Sequence, residues 1–212
     1  MPISGVIAQR YRIEGQIGEG GLGAVYRVFD LADHRVCALK VLPRRSAQSH
    51  LRTEFIALAR IEHTNIVRVF DYGVTDDGDD YFTMELVDGP NIRELALDVA
   101  DPRFLPVVGG VFRALAFLHA RGMVHADIKP SNVLVERALV ADHPADAAKL
   151  LDFGLAADIS DPGSAAARGT FPYAAPEAYT SRVDARSDLY ALGVMLFELA
   201  TGQVPFATQD PI

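Results

Sequence analysis

The chain has 212 residues, half of them apolar, which supports a buried core and excludes a disordered segment. Its formal net charge of -8, with no cluster of lysines and arginines, argues against a polyanion held by bulk field, so nucleic acid is not an expected partner. The longest apolar run, residues 189–199, is shorter than a bilayer requires and contains Glu198, and residues 1–15 lack a sustained apolar stretch behind a basic start; neither a membrane segment nor a secretory signal is expected. The lone cysteine, Cys37, has no intramolecular disulfide partner, and its neighbours Val36, Ala38 and Leu39 predict a buried strand thiol in a reducing cytoplasm.

In chain order, residues 11–17, 24–29 and 36–42 alternate polar and apolar side chains with β-branched and aromatic enrichment, predicting three successive antiparallel strands. Past Pro43, residues 51–60 place Leu51, Phe55, Leu58 and Ala59 on one helical face. Two more strands, 67–72 and 81–87, flank the acidic turn 75–80, expected as a solvated hairpin loop. Five strands and one helix make a small lobe. Beyond Gly89 and Pro90 the pattern turns helical, with a short helix at 91–97 and a longer one at 105–121 that stops at Gly122. Strand fragments follow at 133–135 and 150–151, separated by the polar, alanine-rich insertion 137–148, which is expected to be solvated. A final helix spans 187–201, with Asp184 or Ser187 as its cap and Gly202 as its stop. No internal repeat is present.

The turn between the first two strands carries Gly18, Glu19, Gly20, Gly21 and Gly23 ahead of Val25, so backbone can approach a ligand that a Cβ would block. By itself such a turn is more often a plain hairpin, but its strand-to-strand placement excludes a dinucleotide fingerprint and suits a flap over phosphate. Lys40 lies mid-strand, so its charge either reaches solvent or is held by a partner; Glu54 on the following helix is the candidate, with Glu62 as competitor. Asp127, Lys129 and Asn132 share one turn-rich loop between a helix and a strand. There an acid can accept a hydroxyl proton, a lysine can neutralise a transferring group, and an amide oxygen can meet a divalent ion. Asp152 follows at the end of a strand fragment, suited to a metal that bridges phosphates. Each acid alone reads as a turn residue or a cap; the ordered set does not.

The set resembles the motifs of eukaryotic-like, bacterial-type serine/threonine protein kinases over roughly residues 11–206. Gly18, Gly20, Gly23 and Val25 resemble the family's glycine-rich loop, Ala38 and Lys40 its lysine strand, and Glu54 that lysine's helical partner. Asp127, Lys129 and Asn132 are similar to the catalytic loop, Asp152 with Phe153 and Gly154 to the metal-binding triplet, and Ala175 to Glu177 to the end of the activation segment. Asp188 resembles the buried aspartate that anchors the catalytic loop. The resemblance implies a bilobal α+β fold, with a five-stranded antiparallel N-lobe and one helix at 11–88 after an N-terminal extension at 1–10, and a mainly helical, incomplete C-lobe at 89–212. It implies ATP with Mg²⁺, or Mn²⁺ as an alternative, as cofactors. Asp127 would be the base, Asn132 and Asp152 metal ligands, and Lys40 a phosphate contact positioned by Glu54. Met84 would stand as gatekeeper, Glu85 and Val87 would offer backbone to adenine, and Val25, Ala38 and Leu134 would sandwich the ring. Lys129, with Gly169 and Thr170, implies Ser/Thr hydroxyls of proteins as acceptors. A fused or associated regulatory domain is a further expected partner, and the cytoplasm the expected location.

Two departures stand against that pattern. Ala126 occupies a position where the family commonly has arginine, which predicts ordering of residues 155–169 without phosphorylation. The sequence also stops soon after the turn at 202–206, which predicts exposed apolar surface and either marginal stability or a fragment of a longer protein. The alternatives are a nucleotide-binding pseudokinase or regulatory module with little transfer and, less favoured given residues 169–177, a kinase of small molecules.

Overall fold

The computed structural model describes residues 5–20, 23–42, 55, 59, 61–151, 157–158, 170–179 and 183–206. The chain divides into two compact units, Met1–Glu62 with Val67–Leu86, and His63–Ile66 with Val87–Ile212.

The first unit is an antiparallel sheet of β1 (Val6–Ile7), β2 (Tyr11–Gly20), β3 (Gly23–Asp30), β4 (Arg35–Leu42), β5 (Val69–Val74) and β6 (Asp80–Met84), in the spatial order β1-β2-β3-β4-β6-β5. Alternation along these strands sends Tyr11, Tyr26, Val28, Cys37, Leu39, Val41 and Tyr81 into one buried cluster, which Ile7 joins from β1. The rings of Tyr11 and Tyr81 meet edge to face with centroids 5.7 Å apart, a favourable aromatic geometry. Burial pushes the Cys37 thiol up to about 11, as suits the inert strand thiol that its neighbours predict. The sheet therefore has the five expected strands and one more: the stretch 1–10, expected as an extension, contributes β1 because Ile7 has an apolar cluster to enter and Val6 pairs with Arg12. At the end of β3, Asp30 receives Nε and Nη2 of Arg10 at 2.7 and 2.8 Å, and Arg10 also reaches Asp33 and Asp71. Of the expected helix at 51–60 only Phe55 and Ala59 are described; the Ala59 N–H donates to the Phe55 carbonyl at 2.7 Å, the spacing of a helical turn.

The second unit is built on two helices. In α1 (Phe104–His119) the buried positions Val107, Val108, Val111, Ala114, Leu115 and Leu118 recur at helical spacing. Gly122 ends the segment at φ 70, and its N–H donates to the carbonyl of His119. The chain then forms β7 (Met123–Val124), a 3-10 turn at Pro130–Asn132, β8 (Val133–Val135), the short α2 (Pro144–Ala147), β9 (Ala148–Leu150) and β10 (Ala157–Asp158). β8 pairs with β9 and β7 with β10, both antiparallel. A second 3-10 turn at Pro176–Tyr179 precedes α3 (Ala185–Thr201). Asp184 closes a capping box with Ser187 at the start of α3, and Gly202 stops it in the left-handed region, as its flanking residues predict.

Two local expectations change. The segment 91–97 is a single turn, capped by the Asn91 side chain on the amides of Arg93 and Glu94, because Ala96 takes a left-handed φ of 49 that ends it. The insertion at 137–148 is only partly solvated: Val140, Ala147 and Ala148 are buried. The buried Asn65 donates to the carbonyls of Ala145 and Ala148, and Arg113 donates to Asn65 and to the Ala145 carbonyl, so polar anchors fold an alanine-rich segment back onto α1.

Candidate active site

In the first unit, the hairpin from β2 to β3 pairs Gly18 with Val25, Glu19 with Ala24 and Gly20 with Gly23. Gly23 has φ +143, and a Cβ there would lie 2.0 Å from the carbonyl oxygen of Val41, so backbone proximity to β4 dictates glycine. Lys40 pairs with Val25 across β3 and β4, is 7% exposed, and holds its ammonium 6.0 Å from the centre of the Phe82 ring. Ala38 pairs with Met84 across β4 and β6. The Glu85 amide donates to the Arg68 carbonyl at 2.8 Å, so a backbone contribution from Glu85 to a ligand would come through its carbonyl. Glu54, Gly21 and Asp152 lie outside the described residues.

In the second unit, Val87 is buried. Leu134 pairs with Lys149 within the β8–β9 ladder. Three predicted residues of the catalytic loop converge. Lys129 Nζ donates to Asp127 Oδ2 at 2.7 Å, and Asn132 Nδ2 donates to the same oxygen at 2.9 Å and to the Asp127 carbonyl at 2.8 Å. The 3-10 turn makes this possible, because Pro130 starts a tight turn that brings residue 132 back over residue 127. Both side-chain bonds of Asn132 use its nitrogen, so the amide oxygen is the atom it would offer a divalent cation.

The loop is fastened from behind. His125, fully buried, donates from Nε2 to the Leu151 carbonyl at 2.8 Å and accepts the Asp127 N–H on Nδ1 at 3.2 Å, which fixes its tautomer. Asp188 of α3, 1% exposed, accepts the amides of His125 and Ala126 at 2.9 and 2.8 Å. Burial alone would raise the Asp127 carboxyl, but the hydrogen bonds from Lys129 and Thr170, the Lys129 charge and the Asn132 amide outweigh it and hold the group below its ordinary value. The carboxylate is thus ionised and able to accept a proton.

Sequence reading missed several contacts. Thr170, singled out only as a sign of acceptor type, donates its hydroxyl to Asp127 Oδ1 at 2.7 Å and receives Lys129 at 2.6 Å. His119 reaches Asp188 at 2.7 Å. The Tyr173 hydroxyl donates to the buried Glu198 at 2.6 Å, and Arg93 pairs with the same carboxylate at 2.8 Å. All three join positions far apart in sequence, where spacing carries no signal. Ser187 donates to Glu177 at 2.7 Å, giving the activation-segment glutamate a partner within this unit.

The second unit holds an ionised aspartate gripped by a lysine, an amide and a hydroxyl, and the first holds a glycine-rich hairpin; taken each by itself, these are parts that suit phosphoryl transfer. The protein kinase domain profile matches residues 11–211, and the chain belongs to that family. Over 97% of its length it is 39% identical to the serine/threonine-protein kinase pkn3 of Myxococcus xanthus and 34% identical to the serine/threonine-protein kinase PknB of Mycolicibacterium smegmatis. Over 99% it is 33% identical to a probable serine/threonine-protein kinase of Clostridium acetobutylicum. The chain spans 40%, 35% and 33% of the length of those three relatives.

Proposed function

We propose that this chain phosphorylates serine and threonine hydroxyls of proteins at the expense of ATP. The observation that carries the reading is the Asp127 carboxylate, ionised by Lys129 and held in place by Asn132 and Thr170. In this role Asp127 accepts the proton of the acceptor hydroxyl as the hydroxyl oxygen bonds to the γ-phosphorus of ATP and the bond from that phosphorus to the β,γ-bridging oxygen breaks, with ADP as the leaving group. Lys129 offsets the negative charge that accumulates on the transferring group, and Thr170 keeps the carboxylate oriented. Lys40, buried within its own sheet, would serve the phosphates with Glu54 as its partner, and Gly18, Glu19, Gly20, Gly21 and Gly23 would approach them by backbone. Val25, Ala38, Met84, Glu85, Val87 and Leu134 would receive the nucleotide base.

The oxygen donors of Asn132 and Asp152 suit Mg²⁺, with Mn²⁺ as an alternative; when bound, the cation supplies charge neutralisation on phosphate oxygens. The likeness to two serine/threonine-protein kinases and one probable serine/threonine-protein kinase supports protein hydroxyls as acceptors. No observation favours a module without transfer activity. Among the described residues no helix is long and apolar enough to cross a membrane; a cytoplasmic signalling role, with regulation supplied by further segments such as those that lengthen the relatives, is the reading that fits. Ala126 leaves no arginine beside Asp127, so we infer an activation segment whose function needs no phosphate on Ser160, Ser164 or Thr170.

The test is transfer of labelled γ-phosphate from Mg-ATP to a generic Ser/Thr substrate. Wild type is expected to label it, and Asp127→Asn to fall by about 10²-fold or more, the usual size of a general-base contribution. Equal labelling by both would remove Asp127 from the mechanism; intact nucleotide binding without labelling by wild type would replace the kinase reading with a binding module.

A further inference from the structure

We propose that the outward face of α1 is a docking surface for an amphipathic helix of a partner protein, one that brings a narrow apolar stripe edged with aspartate or glutamate. The surface lies within the second unit, and none of its residues belongs to the loop that carries Asp127. The inference therefore does not depend on how that loop is read.

A surface helix ordinarily turns its apolar residues to the core and its charges to water. α1 buries Val107, Val111, Ala114 and Leu118 on its inner side as that rule requires, but the arc that faces solvent carries no charge at its centre. Leu105, Gly109, Phe112 and Ala116 follow one another at spacings of four, three and four residues, and Ala120 extends the row by one more turn. Alternation of three and four keeps side chains on a single seam between two helices. Leu105 is 73% exposed and Phe112 45%, and Ala116 and Ala120 are exposed as well. Single apolar side chains on a surface need no explanation, whereas an unbroken row of them along a whole helix marks a contact surface. The small residues set its shape: Gly109, Ala116 and Ala120 leave shallow ground beside the Phe112 ring, so the backbone of a second helix can come close.

One edge of the row is basic. Arg113 and Arg121 stand on it, one turn to either side of Phe117. The Arg121 guanidinium sits 3.5 Å from the centre of the Phe117 ring and donates to the Phe117 carbonyl at 3.2 Å. Arg113 donates to Asn65 Oδ1 at 3.2 Å and to the Ala145 carbonyl. Neutral groups thus hold both cations in place while leaving their charge over: the exposed Asp146 stands off from Arg113 at 3.9 Å, and among the described residues no carboxylate pairs with Arg121. The His63 ring, 4.8 Å from that of Phe117, senses the resulting field, since burial first and then the charges of Arg113, Arg121 and Lys149 hold the imidazole below its ordinary value. In a chain of net charge -8, two fixed cations beside an apolar row select an acidic partner.

A second copy of the chain does not supply those acids. α1 contains no acidic residue, so no α1 carboxylate would meet Arg113 or Arg121 in either orientation, and antiparallel pairing would set basic edge on basic edge. An anionic membrane suits the row no better, because glycine and alanine bury little in lipid and the negative chain as a whole is repelled.

The experiment measures, by fluorescence anisotropy, binding of the whole 212-residue chain to three labelled helical peptides. Each peptide is three heptads long with leucine along one stripe, and they differ only in carrying glutamate, glutamine or lysine along one edge. The glutamate-edged peptide is expected to bind at least about tenfold more tightly than the lysine-edged one at low salt, with glutamine between them, and the spread should narrow at about 0.5 M salt. Ala116→Glu alters an exposed position of the row, so the thermal midpoint should stay within about 2 °C of wild type while affinity for the glutamate-edged peptide falls about tenfold or more. Phe112→Gln should weaken that peptide to a similar degree. Arg121→Glu should remove the preference for glutamate over lysine; should it not fold, Arg121→Gln replaces it and should reduce the preference at least about threefold. Equal binding of the three peptides, an affinity that Ala116→Glu leaves unmoved, or no binding of any peptide up to about 0.3 mM would each overturn the proposal. Two further results would overturn it by naming another occupant. A concentration-dependent dimer in sedimentation that Ala116→Glu dissolves would assign the face to a second copy, and capture by phosphatidylserine-containing vesicles that Phe112→Gln abolishes would assign it to a membrane surface.

Discussion

Asp127 keeps its proton-accepting form because three side chains spend their hydrogen bonds on it, and each is replaceable. Thr170 is the most informative of these, since its hydroxyl bonds both Asp127 and Lys129 and it contributes no charge. Thr170→Val, nearly isosteric, is expected to lower kcat by about 10²-fold through misalignment of the base, with KM for ATP little changed, whereas Thr170→Ser retains most of the activity. Steady-state kinetics on the two variants decide it: equal kcat for Val and Ser would mean that the hydroxyl does not position Asp127. At this scale the sequence is readable where partners are neighbours. Asp127, Lys129 and Asn132 lie close together in one loop, so their convergence can be read from type and spacing. Thr170 is 43 residues from Asp127 and His119 is 69 from Asp188, and no local pattern reports a contact made by tertiary folding.

Several elements were legible for a related reason: they carry their own stop or start signals. Asp184 caps α3 and Gly202 ends it, as those residue types predict. Asp184→Ala is expected to cost about 0.5–2 kcal/mol, read as a lowered thermal midpoint, because it strips the capping box from the helix that carries Asp188. The β2–β3 hairpin is readable as glycine-rich, but not the reason for each glycine. Gly23 is required by the approach of the Val41 carbonyl and by its positive φ, whereas a Cβ at Gly18 would meet only Val25 side-chain atoms, at 3.7 Å and beyond. Gly23→Ala should therefore destabilise by at least about 1–3 kcal/mol and raise KM for ATP, while Gly18→Ala should leave the thermal midpoint within about a degree or two. Equal midpoints for the two variants would contradict the close approach to β4. What spacing concealed was β1, two residues long, and the anchoring of residues 137–148, which depends on Asn65 and Arg113 reaching alanine carbonyls from elsewhere in the chain.

At the scale of the whole chain, acids outnumber lysines and arginines by 28 to 20, so acidification first neutralises and then strongly reverses the net charge, and self-repulsion grows at low pH whatever the local contacts. Composition shows this much, but not which carboxylates are tied to the folded state. Asp30 is the clearest of them: its side chain is 1% exposed, and the Arg10 guanidinium, opposing the penalty of burial and helped by the amides of Ala32 and Asp33, holds its carboxyl at about 2. A folded value below the unfolded one stabilises the folded state at pH above the unfolded value near 4, and that stabilisation is lost as pH falls through the folded value. The contribution is on the order of 2 kcal/mol from the shift, and nearer 1 after screening at the partly exposed Arg10. Asp30→Asn should accordingly lower the thermal midpoint at pH 7, and the gap to wild type should stay constant down to about pH 5, then close between about pH 4 and 2. With no tryptophan in the chain, far-ultraviolet circular dichroism is the suitable probe. A gap that persists unchanged at pH 2 would show that Asp30 contributes through packing and not through its charge, since the general repulsion of the protonated chain acts on both proteins alike.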